Sequence, residues 1–165
     1  MMCGLFHYGI RATDPDVTLN FYTRLLDMRI DDSRPAMSVT GYWLRAAVPG
    51  SPPSIHVFTG DYATMEPGRG EIPSGMGAVH HMALYCRGFD TVRRKLEASG
   101  LSWQGVITPR SWVLFVYDPN GVMLELAFDA VAEGGPKPEL PPQNVYQPGL
   151  PFHAFGPDQY GAFAA

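Results

Sequence analysis

The stretch Asp118-Pro119-Asn120-Gly121-Val122-Met123-Leu124-Glu125-Leu126 contains the strongest local structural signal in this chain. Asp-Pro-Asn-Gly is typical of a tight hairpin turn, and the segments on either side, 111–117 and 122–128, are largely apolar. Both are therefore predicted to be strands. Glu125 interrupts the second strand, and a buried carboxylate without a partner would cost several kcal/mol. Coordination to a divalent cation would remove that cost.

The segments before this hairpin complete a pattern that the chain shows twice. A strand at 79–86 is followed by a helix that stops at Gly100. At the start of this helix, Phe89 is interpreted as a hydrophobic staple residue and Asp90 as the N-cap. Strands are then expected near 102–107, 111–117 and 122–128. This half is thus predicted to have the order β-α-β-β-β.

The first half has the same order. Residues 5–12 alternate as a strand does, and Asp14-Pro15 is an N-cap followed by proline at the first helical position. An amphipathic helix is expected over roughly 15–27. Strands are then predicted near 28–32, 38–48 and 54–59.

Polar residues occur at matching places in the two halves. His7 and His81 lie in the first predicted strands, whereas His56 and Glu125 interrupt the last ones. Three imidazoles and one carboxylate related by a repeat suggest a metal site at a pseudo-two-fold axis. His80 is expected to point to the opposite face from His81 and to be structural.

Composition narrows the possible partners. The chain has 165 residues, 45% of them apolar, and a net charge of −4, which gives no reason to expect nucleic acid or a membrane surface. Without an apolar run of membrane-spanning length or a signal-peptide pattern, we expect a cytoplasmic protein. Its two cysteines are interpreted as free thiols.

A single domain is expected over residues 1–130, with unit one at 4–59, a linker at 60–77 that is rich in glycine and proline, and unit two at 78–129. Residues 131–165 are too rich in proline and glycine to continue a sheet, but they carry many aromatic residues. We expect an irregular tail that packs on the domain or on a partner subunit. His153 within it is expected to be solvated.

The chain resembles the vicinal oxygen chelate superfamily, which includes glyoxalase I, extradiol ring-cleaving dioxygenases, and fosfomycin and bleomycin resistance proteins. The resemblance covers about residues 4–129 and is carried by the runs 7–14, 20–22, 79–83 and 118–126. It implies an α+β fold in which two β-α-β-β-β units form an open eight-stranded mixed sheet around a cavity. It also implies a small-molecule substrate and a homodimer.

By the same resemblance, His7, His81 and Glu125 match the metal ligands. His56 stands where many metal-binding relatives have Glu or Gln, so it is a fourth ligand, a hydrogen-bonding partner of the substrate or an acid/base. Two imidazoles and one carboxylate suit Fe(II) or Mn(II), while four protein ligands would fit Zn(II), Ni(II) or Co(II) better.

Further candidates for contact with substrate share a predicted cavity-facing position: Arg11, Trp43, Arg45 and Phe115. The two arginines could equally pair with surface acids such as Asp14 or Asp31.

Two kinds of chemistry compete, with a non-catalytic ligand binder as a third reading. Extradiol dioxygenase-like chemistry is the first expectation, although Phe115 replaces the tyrosine that many such relatives have ten residues before the carboxylate ligand. Tyr85 or Tyr117 would have to supply the phenol instead. Glyoxalase-like or epimerase-like Lewis-acid chemistry is the alternative, because four polar positions are present.

Overall fold

The structure, a computed structural model, describes residues 2, 4–60, 65–66, 70–71, 79–148, 152 and 157–164. The chain divides into two compact units, Met1–Ser74 with Phe163–Ala165, and Gly75–Ala162. Each unit contains one four-stranded sheet of mixed direction.

The first unit is built on a sheet of four strands, β1 (Tyr8–Arg11), β2 (Arg29–Ile30), β3 (Gly41–Arg45) and β4 (Pro53–Phe58). Their order in the sheet is β1-β4-β3-β2. β1 runs parallel to β4, and the other neighbours are antiparallel.

One helix covers one face of this sheet. The Asp14 carboxylate accepts a hydrogen bond from the Val17 amide at 3.0 Å, and helix α1 (Pro15–Asn20) begins there, as predicted. The helix continues as a π-helical segment over Phe21–Leu25. The Tyr42 hydroxyl donates to the Pro15 carbonyl at 3.1 Å, so the face that bears Tyr42 meets the helix. We call the opposite face, which bears Trp43 and His56, the open face of the first unit.

The second unit repeats this arrangement with the strands β7 (Met82–Cys86), β8 (Trp103–Ile107), β9 (Ser111–Tyr117) and β10 (Met123–Asp129). Their order is β7-β10-β9-β8, again with one parallel pair, β7 and β10. Helix α2 (Phe89–Ser99) packs on one face, where the Phe89 ring lies 5.4 Å from Trp112 and 5.3 Å from Phe128, measured between ring centroids. The other face, which bears Phe115 and Glu125, is the open face of the second unit.

Two four-stranded mixed sheets, each with its helix, confirm the predicted α+β fold of two β-α-β-β-β units. Most strands are shorter than predicted. β1 begins at Tyr8 and β7 at Met82, so His7 and His81 lie immediately before the first strands rather than within them. Both imidazoles therefore lie at a strand end, where the backbone does not form the full set of inter-strand hydrogen bonds.

The turn that decides the fold is stabilised by one buried side chain. The Asp118 carboxylate accepts hydrogen bonds from the amides of Asn120 at 2.9 Å and Val122 at 2.8 Å. The Asp118 amide donates to the Val122 carbonyl at 2.9 Å. The predicted hairpin between β9 and β10 is present, with Glu125 opposite Phe115.

The start of α2 differs from the prediction. The residue that precedes the helix is Gly88, with a left-handed φ of 79°, not Phe89-Asp90. Because glycine offers no capping side chain, the carboxylate of Glu133 fills that role and accepts the amides of Gly88 and Phe89, each at 2.8 Å. Glu133 ends the short helix α3 (Ala130–Glu133). The end of α2 at Gly100, which is also left-handed, agrees with the prediction.

Beyond α3 the chain runs along the second unit. The Asn144 side-chain amide donates to the Trp103 carbonyl at 2.7 Å, and the Tyr146 backbone amide donates to the Gly105 carbonyl at 2.9 Å. The Tyr160 hydroxyl lies 2.9 Å from the carbonyls of Tyr117 and Asp118. In the first unit, the Asn20 side-chain amide donates to the Phe163 carbonyl at 2.9 Å. The described part of this segment contains two 3₁₀ turns, Pro142–Asn144 and Pro157–Phe163.

Within the linker predicted at 60–77, the structure shows a two-stranded pairing of β5 (Met65–Glu66) with β6 (Gly70–Glu71). The rest of that segment beyond Gly60, and His153 in the tail, lie outside the described residues. Among the described helices, none combines the length and the apolar character that crossing a membrane requires.

Glu133→Ala should lower the free energy of unfolding by about 1–2 kcal/mol, because two amides at the start of α2 lose a charged acceptor. Urea denaturation measures the change. Glu139→Ala is the matched control, since Glu139 is an exposed carboxylate on the same segment. Equal stability of the two variants would contradict the capping role of Glu133.

Candidate functional site

In the second unit, His81 and Glu125 contact each other directly. The His81 Nε2 atom lies 3.0 Å from Glu125 Oε2, and the side chains are 35% and 23% exposed. Glu125 reaches the open face because its strand neighbours Leu124 and Leu126 point to the helix side, where both are fully buried. The sequence predicted both residues at one site, and the structure brings them together.

His80 does not follow the prediction. The Nδ1 atoms of His80 and His81 lie 2.8 Å apart, so the two imidazoles share a hydrogen bond. The expectation that His80 points away assumed strand alternation, but β7 begins only at Met82. Outside the strand, adjacent side chains are free to turn towards each other.

An aromatic wall lines the open face of the second unit. Phe115, the strand partner of Glu125, lies 6.3 Å from the His81 ring and 4.5 Å from the Tyr146 ring, between centroids. Tyr117 packs on Phe152 at 5.3 Å. Tyr146 and Phe152 belong to the tail, and sequence reasoning missed them as members of the site. Their signal was the unusual aromatic content of a segment rich in proline.

The two tyrosines proposed as phenol donors occupy different environments. Burial, with a smaller effect of Tyr146, raises the pKa of Tyr117 above its ordinary value of 10.0, so its phenol keeps its proton at neutral pH. Tyr85 is 98% exposed. It lines an open cleft of about 390 Å³ that extends from Glu125 to Arg110.

In the first unit, three nitrogen-bearing rings gather on the open face. Ring centroids lie 5.7 Å apart for His7 and His56, 5.7 Å for His7 and Trp43, and 5.9 Å for Trp43 and His56. Trp43 is the strand partner of His56, and Phe58 stacks on His56 at 4.1 Å.

Each of these rings holds a buried nitrogen that has no hydrogen-bond partner among the described residues, namely His7 Nδ1, His56 Nε2 and Trp43 Nε1. Buried polar atoms are normally paired, because an unpaired one costs about 1–3 kcal/mol. His56 is only 3% exposed, and burial, followed by the charges of Arg34 and His7, lowers its pKa below 6.5. His56 is therefore neutral at pH 7 and can offer a lone pair or an N–H group to a ligand.

The two candidate arginines have distinct surroundings. Arg45 Nε lies 3.8 Å from Asp31 Oδ2, so this guanidinium already faces a carboxylate, which was the alternative reading. Asp31 also accepts the Ser33 hydroxyl and amide, which lowers its pKa. Arg11 is exposed at the end of β1.

Of the predicted residues, the structure pairs His81 with Glu125 in one unit and groups His7, Trp43 and His56 in the other. Within the described part of the chain, no three His, Cys, Asp or Glu side chains lie close enough together to hold a metal ion.

The fold and these residues agree with a known superfamily. The sequence model of the Glyoxalase/Bleomycin resistance protein/Dioxygenase superfamily matches residues 4–126. The chain belongs to this superfamily. The match ends just after Glu125, so it includes all four predicted metal-binding positions but not the tail. Among proteins of curated function, none matches the chain.

Solved structures of the superfamily share the fold. A glyoxylase/bleomycin resistance protein/dioxygenase domain from Frankia sp. EAN1pec is 18% identical, with a TM-score of 0.56 over 79% of this chain and 94% of its own. The fosfomycin resistance protein FosX from Listeria monocytogenes is 16% identical, with a TM-score of 0.56 over 81% and 97%. Lactoylglutathione lyase from Agrobacterium tumefaciens is 14% identical, with a TM-score of 0.54 over 77% and 94%.

At these identities the likeness shows the fold alone. One FosX structure contains Mn(II) together with 1S,2S-dihydroxypropylphosphonic acid. A divalent metal is thus bound by at least one protein of this fold.

His56 should titrate below 6.5 in metal-free protein, as measured by NMR of its ring protons, with His56→Gln identifying the signal. Its folded pKa is lower than its unfolded pKa, so between the two the unfolded chain binds more protons. The free energy of unfolding should therefore fall as the pH drops from 6.5 towards the folded pKa, and less so in His56→Gln. A titration at or above 6.5 would contradict the buried, unpaired geometry.

Proposed function

We propose that this protein is a metal-dependent enzyme that acts on a small substrate with two neighbouring oxygen atoms. The first candidate activity is extradiol dioxygenase-like ring cleavage. The observation that carries the proposal is the pair His81–Glu125, an imidazole and a carboxylate in contact and half-buried on the open face of a sheet.

The donor atoms of this pair suit a metal ion. Two atoms that each bind a cation at ~2.1 Å with a right angle between them are ~3.0 Å apart, and His81 Nε2 and Glu125 Oε2 are 3.0 Å apart. A hydrogen bond has the same length, so the distance permits both. We propose His7 as the third ligand, because its buried Nδ1 atom has no hydrogen-bond partner in the part of the chain that the structure describes.

Two imidazoles and one carboxylate form the facial triad that suits Fe(II), and we favour Fe(II) or Mn(II) as the metal. When bound, the cation would act as a Lewis acid that chelates both substrate oxygens and stabilises developing negative charge.

The remaining groups would define the shape of the site and exclude water from it. Phe115 lies beside His81 and Tyr146 packs on Phe115, and these rings would favour a planar substrate and exclude water. Trp43 Nε1 can only donate a hydrogen bond, so we propose that it donates to a substrate oxygen. Tyr117 stays protonated and could deliver a proton, while Tyr85 and Arg11 are exposed candidates for contact with substrate.

The second candidate is glyoxalase-like or epimerase-like Lewis-acid chemistry. Two observations favour it: Phe115 carries no hydroxyl group, and His56 is neutral, buried and 5.7 Å from His7 between ring centroids. As a fourth ligand, His56 would favour Zn(II), Ni(II) or Co(II). As a base, it would move a proton on the substrate.

We further propose that the protein is a cytoplasmic homodimer. Cys86 is a free thiol, which fits a reducing compartment. At the edge strand β7, Tyr85 exposes 98% of its surface, which suits a covering partner.

Purified protein reconstituted without oxygen should bind one equivalent of metal, and His81→Ala and Glu125→Ala should each lose at least ~90% of it, because each removes one ligand. Elemental analysis after desalting measures the content. Glu139→Ala should retain the metal, since its carboxylate is exposed elsewhere. Unchanged metal content in His81→Ala and Glu125→Ala would rule out this site.

The identity of the metal separates the candidates. Iron that supports oxygen uptake with a catechol would favour the dioxygenase, whereas zinc or nickel without oxygen uptake would favour the Lewis-acid enzyme. Failure to bind any of these metals would reject both and leave a non-catalytic ligand binder.

A further inference from the structure

We infer that His80 is the positioning residue for His81, and that it sets how tightly the site binds its metal. The inference rests on the proposed function, in which His81 is a metal ligand. It concerns a residue that the superfamily resemblance left without a role.

The geometry engages both nitrogens of His81 at once. Its Nε2 lies 3.0 Å from Glu125 Oε2, and its Nδ1 lies 2.8 Å from His80 Nδ1. These two contacts, on opposite sides of the ring, fix the rotation of the imidazole. Between the two Nδ1 atoms there is room for one proton, so one ring donates and the other accepts.

The position of that proton decides whether His81 can bind a cation. A metal at Nε2 needs the Nε2 lone pair, and a neutral imidazole must then carry its proton on Nδ1. Such a proton needs an acceptor, and His80 Nδ1 is at hydrogen-bond distance. His80 therefore stabilises the tautomer of His81 that presents a free Nε2.

Glu125 favours the other tautomer in the absence of metal, because its carboxylate attracts an Nε2 proton. The two neighbours of His81 thus favour opposite tautomers, and the metal displaces the proton on the Glu125 side. Loss of His80 would leave the Nδ1 proton without its acceptor and the ring without its second anchor. Replacement of a residue that hydrogen-bonds to a metal ligand typically changes the metal affinity by 10–100-fold.

His80 suits mutation because it is exposed and its ring packs only against His81 among the ring contacts of the described residues. Its replacement should leave the core intact. The neighbour Val79 is also exposed and has no hydrogen-bonding side chain, so Val79→Ala controls for disturbance of the chain before β7.

The test compares Co(II) affinity, followed by visible absorption, in the wild-type protein and in His80→Ala, His80→Asn, His81→Ala and Val79→Ala. Thermal unfolding of each metal-free protein establishes that it is folded. We expect 10–100-fold weaker binding in His80→Ala and binding within about threefold of wild type in His80→Asn, whose amide oxygen can replace Nδ1 as acceptor. Val79→Ala should bind as wild type does, and His81→Ala should lose the site.

Wild-type affinity in His80→Ala, with the site lost in His81→Ala, would overturn the role of His80 and leave the metal site standing. Equal losses in His80→Ala and His80→Asn would contradict the acceptor role. Unchanged affinity in His81→Ala would overturn the proposed function and the inference together.

Discussion

The carboxylate of Glu125 lies in the middle of a strand between two fully buried leucines, and strand alternation turns it to the opposite face of the sheet. A charged group in that position needs a partner, since solvent reaches only 23% of its side chain. The partner is His81, which enters the site just before β7, the parallel neighbour of β10.

The arrangement of the second unit can be understood from the contact between Glu125 and His81. The hairpin at Asp118 fixes the register of β10, the register places Phe115 opposite Glu125, and the tail places Tyr146 on Phe115.

The first unit has the same strand order as the second, but its open face carries different side chains. His56 takes the position on β4 that Glu125 has on β10, but it is neutral and almost completely buried. Its ring contacts are His7, Trp43 and Phe58, and three nitrogen atoms on this face have no hydrogen-bond partner among the described residues. A buried polar atom without a hydrogen bond destabilises the fold. Such atoms are expected where a ligand supplies the missing contact. The open face of the second unit thus carries a carboxylate, whereas the open face of the first unit carries ring nitrogen atoms.

The parts of the fold that depend on local chemistry could be predicted from the sequence. Asp14 caps α1, Gly100 ends α2, and Asp118 organises its turn through its own nearby amides, so neighbouring residues carry the information. The cap of α2 could not be predicted in this way, because Glu133 is 45 residues from Gly88 in sequence. Tyr146 was missed for the same reason. His80 was misplaced because the alternation rule was applied two residues before the strand begins.

We propose that His81 and Glu125 bind a metal ion rather than only each other. A crystal structure of the protein soaked with Zn(II), with anomalous data collected at the zinc edge, would locate the ion. We expect a strong anomalous peak at ~2.0–2.2 Å from both His81 Nε2 and a Glu125 carboxylate oxygen. An intact His81–Glu125 hydrogen bond with no peak beside it, at a Zn(II) concentration that loads other zinc proteins, would contradict it.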